Sequence, residues 1–298
     1  MKAVVGVDLS GAWAPAVDLL CRIWPTNLEV ELVHCIESVF PDRSFPDFGK
    51  EHPLTILFEE HKRQGEEALA EAQKVLVGRG VPTTKHISIG EPSRALMNHA
   101  DDHLCDMIVV RSSVKGFWGT TLFGSTAKGV LVGAHQSVLV VKTDSVPNGA
   151  VNAVLATDHS RYINQCVERL LAMNPSGIAD LVVYTANEID SGVAALLVRS
   201  LPKIAHEAPI WIMEKLVQMN EDLAKRLSPI CKSSAVLVRD ASPNDGIQAV
   251  MKETKAELLI MGAQGHGFIE RLNLGSKSFH QALSEPFSVL VLRTTVRD

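Results

Sequence analysis

MGAQGHGFIERLNLGS, Met261 to Ser276, is the stretch whose reading decides the fold. Before it stands Glu257-Leu258-Leu259-Ile260, an apolar run of strand length, and after it Lys277-Ser278-Phe279-His280-Gln281-Ala282-Leu283, a helical pattern. Gly262, Gly265 and Gly267 let a backbone turn sharply and approach a ligand with no Cβ in the way. Gly275-Ser276 then opens the helix, where unpaired N–H groups and the positive end of the dipole favour an anion. Ser276 adds a hydroxyl that caps the helix or binds a phosphate oxygen. Strand, glycine loop and Gly-Ser helix start together make a phosphate cradle at the carboxyl edge of a parallel sheet, or equally a structural turn. The lysine-bearing P-loop pattern G-x-x-x-x-G-K-[ST] occurs nowhere in the chain.

Upstream, strand and helix patterns alternate. Lys2–Val7, Leu28–Ile36, Thr83–Ile89, Asp106–Val110 and Ser137–Lys142 read as strands, with helices over Pro15–Ile23, Thr55–Val77 and Arg94–His103. The long second helix ends at Gly78-Arg79-Gly80, a glycine stop signal. After the polar linker Thr143–Gly149 the same order begins again. MKAVVGVD is answered by VNAVLATD, which places Asp158 where Asp8 stands; Pro92 is answered by Pro243 and Gly124-Ser125 by Gly275-Ser276. Ser137-Val138-Leu139-Val140-Val141 is answered by Ser288-Val289-Leu290-Val291-Leu292, and the offset stays at 150 or 151 residues throughout. Chance apolar similarity does not hold a register, so the chain is an internal duplication. The predicted domains are 1–146 and 150–298, each of α/β class with a mainly parallel sheet.

The spacing Gly262-x2-Gly265-x9-Gly275-Ser276 resembles the nucleotide-binding signature of the universal stress protein family, and the duplication extends that resemblance over nearly the whole chain as a tandem pair. The resemblance implies two flavodoxin-like (adenine nucleotide alpha hydrolase-like) domains, each of five strands with helices on both faces. It implies that the last strands of the two domains pair, Ser137–Lys142 with Ser288–Arg293, in imitation of the family's dimer. It implies an adenine nucleotide, ATP or a relative, in the second half: Asp158 near the adenosine part, and Thr185 where backbone groups recognise adenine. Met261, Gly262 and Gly265 would shape the phosphate loop, and Gly275 and Ser276 would hold phosphate oxygens. Tyr184-Thr185 stands where the family often has His-Val, and the first half has His34-Cys35 at the matching positions. Lys277 either neutralises phosphate charge or is solvated, and Asp158 also suits a helix N-cap.

In the first half the loop reads RSSVKGFWGTTLFGS, with Arg111 and Val114 in place of the first two motif glycines. Valine disfavours positive φ and crowds a phosphate, so this loop reads as decayed to a structural role. Arg111 alternatively supplies a cation where the ligand's charge would sit. His159, His266 and His280 have no i, i+4 partner among themselves and read as packed or solvated. No G-x-S-x-G elbow and no catalytic Ser/His/Asp spacing stands out, so any ATP hydrolysis is expected to be slow, with Mg2+ held mainly by the phosphates.

Composition sets the outer bounds. The 298 residues suffice for two cores, and 46% hydrophobic with 21% charged residues excludes a disordered chain. A net charge of −5 gives no footprint for nucleic acid, and no apolar run reaches the ~20 residues that span a bilayer. Five cysteines without a C-x-x-C pair argue against a disulfide framework or zinc site, and suit the reducing cytoplasm as small core residues. The expected role is a stress-response regulatory or signalling protein; a homodimer of the whole chain stays open. The alternatives are a nucleotide-independent adaptor or small-ligand module, and an adenine nucleotide alpha hydrolase enzyme, whose S-G-G-x-D-S loop is absent after the first strand.

Overall fold

In the computed structural model the chain is described over residues 1–37, 49–112, 124–142, 149–187, 208–263 and 285–294. The elements in chain order are β1 (Lys2–Gly6), α1 (Ala14–Ile23), β2 (Glu29–Ile36), α2 (Pro53–Gly78), β3 (Thr83–Ile89), α3 (Pro92–Asp102), β4 (Met107–Arg111), α4 (Ser125–Gly133) and β5 (Ser137–Val141). There follow β6 (Val151–Ala156), α5 (Arg161–Met173), β7 (Ile178–Ala186), α6 (Ala208–Leu227), β8 (Cys231–Arg239), α7 (Pro243–Thr254), β9 (Leu258–Gly262) and β10 (Ser288–Leu292). They group into two compact units, Met1–Gly149 with Ser284–Asp298, and Ala150–Leu283. The last strand of the second half therefore belongs, by its contacts, to the first unit.

The first unit's strands lie in the order β3-β2-β1-β4-β5-β10. The first five are parallel, with Val5 beside both Leu32 and Val109. β10 runs antiparallel to β5, Leu290 opposite Leu139. Helices α1 and α2 touch each other on one face of the sheet, and α3 and α4 on the other. The second unit repeats the plan as β9-β6-β7-β8, all parallel. Both units are doubly wound, the flavodoxin-like architecture in the strand order of the adenine nucleotide alpha hydrolase type. In each, the chain reverses its winding beside the first strand, between β1 and β4 and between β6 and β9. Crevices at the carboxyl ends of strands open at such switch points.

Local chemistry explains why the elements form where they do. The inner strands are continuous apolar runs because both faces are covered, as with SVLVV in β5, where every residue is buried. The outer strands β3 and β8 carry Thr, Lys, His and Ser on their exposed positions, which blunts a free edge. Pro92 and Pro243 both sit at the first helical position, where the missing N–H costs nothing. Glu91 and Ser242 cap those helices, Glu91 accepting from Ser93 and Arg94 N–H at 3.0 Å and Ser242 Oγ from Asp245 N–H at 3.3 Å. At the end of α2, Gly78 is still helical; Gly80, at φ +75°, makes the left-handed turn. The thiols form no disulfide, and only Cys105 and Cys166 are fully buried; Cys21, Cys35 and Cys231 are half-buried, so fewer are core residues than the sequence suggests.

Candidate functional site

At the first unit's switch point lies a cavity of about 570 Å³. Val7 and Asp8 after β1, His34 to Ile36 of β2, Arg111 of β4 and Gly124-Ser125 opening α4 wall it. The volume is in the range of small-molecule pockets. Polar groups converge on it in a particular pattern. Asp8 is exposed and its Oδ2 accepts from Ser10 Oγ at 2.5 Å. Arg111 Nη1 donates a long bond of 3.4 Å to the Ala12 carbonyl. The indole N–H of Trp13, a residue only 3% exposed, has no hydrogen-bond partner among the described residues. The α4 N-terminus adds its first N–H groups, with no side-chain cap at Gly124 among the described residues. Burial pushes the Cys35 thiol up to about 12, so this wall carries no thiolate at neutral pH.

His34 is fixed on the cavity wall. Its Nδ1–H donates to the Val7 carbonyl at 2.8 Å, and its ring lies against Gly65 of α2, where a Cβ would come within 2.3 Å of His34 Cδ2. The strand register shows which residue answers it in the second half. Val7 N–H donates to Val33 and Thr157 N–H to Tyr184, so Thr185 stands where His34 does, and Tyr184 where Val33 does. The sequence offset pairs Tyr184-Thr185 with His34-Cys35 instead. The correction is one residue, and it arises because the offset grows from 150 to 151 between the first and second strands.

At the second unit's carboxyl edge the expected residues fall into four groups, of which Thr185 is the last. Asp158 is exposed just beyond β6, and its Oδ1 accepts from Ser160 N–H at 3.0 Å. The N-cap of α5 is Ser160, whose Oγ accepts from Ile163 N–H at 3.3 Å, so Asp158 is not itself the cap. Met261 and Gly262 end β9, extending the strand two residues past its sequence reading, on the strand adjoining β6. Gly265, Gly275, Ser276 and Lys277 lie outside the described residues.

Thr185 has its side chain committed elsewhere. Its hydroxyl donates to Asn220 Oδ1 at 2.8 Å, and His159 Nε2–H donates to the same oxygen at 2.8 Å. Asn220, fully buried on α6, donates in turn to the Val183 and Leu237 carbonyls at 3.3 and 3.1 Å. All four hydrogen-bonding positions of the amide are thereby used. Burial lowers the His159 pKa, which keeps the ring neutral inside this knot. His159 is thus a packed histidine, held at φ +54°. Asn220 carries no sequence signal for this role, since nothing marks one asparagine on an amphipathic helix. One i, i+4 histidine pair is His99 and His103, on α3 and its C-cap, a spacing legible in the sequence but away from the glycine loops.

The universal stress protein family model matches the chain twice, over residues 1–142 and 153–293. A curated universal stress protein of Methanocaldococcus jannaschii is 32% identical over 116 residues, which are 39% of this chain and 66% of the relative, just under two thirds of its length. The crystal structure of a universal stress protein from Archaeoglobus fulgidus superposes with a TM-score of 0.67 at 18% identity, covering 98% of both chains. A functionally unknown protein of Pseudomonas aeruginosa gives 0.60 at 13% identity, covering 99% of this chain and 92% of the other. At these identities the two structures speak for the fold.

Proposed function

Because the chain belongs to the universal stress protein family, we propose that it is a stress-response regulator binding ATP or a related adenine nucleotide at the switch point of its second half. The observation that carries this reading is the neighbourhood of β6 and β9, parallel partners of which one leads to Asp158, two residues past its end, and the other ends at Met261-Gly262. A ligand entering there meets an exposed carboxylate for its sugar and a backbone without Cβ for its phosphates. Gly265, Gly275, Ser276 and Lys277 follow in the chain with the spacing that supplies N–H groups, a hydroxyl and a cation to phosphate oxygens. Thr185 would act only through its backbone, since its hydroxyl is held by Asn220. Any Mg2+ would come with the phosphates. The output is conformational: nucleotide binding favours one arrangement of the loop after Gly262, which a partner reads. The working compartment is the cytoplasm, and the two domains are 1–146 and 150–298.

A second location is favoured by the cavity of the first half. Arg111 and the α4 start give it a cation and free N–H groups for an anion, in place of the missing glycines. One experiment separates the two. The protein is purified, denatured, and its released nucleotide measured by chromatography, then re-measured in Gly265→Val, Ser276→Ala and Arg111→Ala. Loss in the first two with retention in the third is the expected result. Retention in the first two and loss in Arg111→Ala moves the site to the first half. No nucleotide in the native protein, and no binding of added ATP, overturns the reading.

A further inference from the structure

At the amino edge of the first unit's sheet, away from the cavity, three donor side chains converge. His99 and His103 lie one helical turn apart, so their rings share a face, with centroids 4.0 Å apart and planes tilted by 15°. Glu31 of β2 faces both: Oε2 is 2.9 Å from His99 Nε2, and Oε1 is 3.5 Å from His103 Nδ1. One donor atom from each residue falls within 4.8 Å of the others. We propose that Glu31, His99 and His103 bind a divalent transition-metal ion, zinc by the chemistry of the donors, with the fourth position open to solvent.

Two imidazoles and a carboxylate are a zinc donor set, whereas calcium and magnesium take oxygens throughout. Bonds of about 2.0–2.1 Å in a tetrahedron put donors roughly 3.4 Å apart. The 3.5 Å and 2.9 Å approaches are made by different Glu31 oxygens, and one donor atom from each residue holds the set within 4.8 Å, so an ion must draw the donors together to complete the tetrahedron. His103 is 44% exposed and free to turn its ring into place, while His99 and Glu31 are held at 6% exposure each. The outer contacts suit a metal site. Thr84 Oγ1 donates to Glu31 Oε2 at 2.8 Å and fixes the carboxylate, as groups behind metal ligands do. The His86 ring packs against His99, centroids 4.9 Å apart. A cleft of about 320 Å³, lined in part by His86, Glu91 and Asp102, borders the cluster at His99.

Lys2 is the competitor. Its ammonium lies 2.6 Å from Glu31 Oε1 and so supplies the positive charge that a metal would replace. Glu29 lies 3.6 Å from the same ammonium on its other side, so Lys2 keeps a carboxylate partner when the ion enters. The cluster is then either a permanent Lys2–Glu31–His99 network or a site that exchanges ammonium for metal.

The test uses the full chain, stripped with a chelator and titrated with Co2+ and then Zn2+. The expected result is one Co2+ per chain with the visible absorption of a four- or five-coordinate ion, bleached by one equivalent of Zn2+. His103→Ala, at a half-exposed position, is expected to weaken Zn2+ binding at least tenfold while leaving the melting temperature of the stripped protein unchanged. Glu31→Gln, which keeps the shape and removes the anion, is expected to do the same to binding. No binding below about 100 μM, or binding that survives His103→Ala, overturns the site.

Discussion

Lys142, just past β5, is only 1% exposed and donates from Nζ to the Glu285 carbonyl at 2.8 Å. Burial pulls its pKa from 10.5 down to about 7, against the opposing charge of Glu285. Between those two values the unfolded chain holds a proton that the folded chain has released, so stability rises with pH from about 7 to 10.5. Below that window the cost of the buried ammonium is fully present, and above it the cost is gone. Lys142→Met should flatten this slope and add roughly 1–3 kcal/mol at pH 7. Urea unfolding at pH 7, 8.5 and 9.5 checks both; a variant that is less stable at pH 7 with the slope intact refutes the account. Glu31 gives a slope of the same sign in a more acidic window, though there the charged form is the one the fold stabilises. Burial alone would raise its pKa, but hydrogen bonds from Lys2, His99 and Thr84 hold it down to about 2. Its contribution is present above the ordinary 4.5 and is lost as pH falls from there towards 2.

Between elements, the two halves solve one packing problem with different residues. Where the second strand meets the helix after it, the first unit sets His34 against Gly65 and the second sets Thr185 against Asn220. Helix propensity says Gly65→Ala should gain about 1 kcal/mol. The new Cβ would stand 2.3 Å from a ring that the Val7 carbonyl holds, and overpacking of that kind costs roughly 1–3 kcal/mol, so the clash wins. Gly65→Ala should therefore lower the melting temperature, and His34→Thr should rescue it. A coupling below about 0.5 kcal/mol in that double-mutant cycle would count against the contact. Gly246 on α7 is the same case, its Cβ meeting the Tyr184 hydroxyl at 1.7 Å. That hydroxyl has no hydrogen-bond partner among the described residues, so Tyr184→Phe should cost nothing; it should lessen the penalty of Gly246→Ala without abolishing it, because the ring Cζ still stands 2.8 Å from the new Cβ, and a loss above about 1 kcal/mol in Tyr184→Phe sinks this reading. Sequence shows these glycines only as weak points in helices, because what each one makes room for sits on a distant strand. The strands themselves were legible, since parallel strands covered on both faces are written as unbroken apolar runs such as MIVVR and LLIMG. The i, i+4 spacing of His99 and His103 was legible too, but Glu31 lies 68 residues from His99 and only the fold brings it there.

For the molecule as a whole, the constant offset of the duplication predicts two like domains, and strand order bears this out through β9. Physical grouping then departs from sequence order at β10, which the contacts assign to the first unit. The reason is chemical. β5 is SVLVV, buried at every residue, and would be a bare apolar edge if nothing covered it. β10 is SVLVL, equally buried, and the two pair antiparallel through Val138–Val140 and Val289–Val291. Side chains seal the ends of the pair: Ser288 Oγ accepts from Lys142 N–H at 3.3 Å, and Ser137 Oγ from Arg293 N–H at 3.2 Å. A fault placed in β10 should thus be felt some 150 residues earlier in the chain. Leu290→Pro removes a backbone donor in the middle of a buried strand, a place proline does not occupy in sheets, and forces the strand out of line. Hydrogen exchange should then speed up at Val138, Leu139 and Val140 while the amides of β7 keep their protection. Were exchange to change only within the second half of the sequence, β10 would belong to that half alone, and the edge of β5 would need another cover.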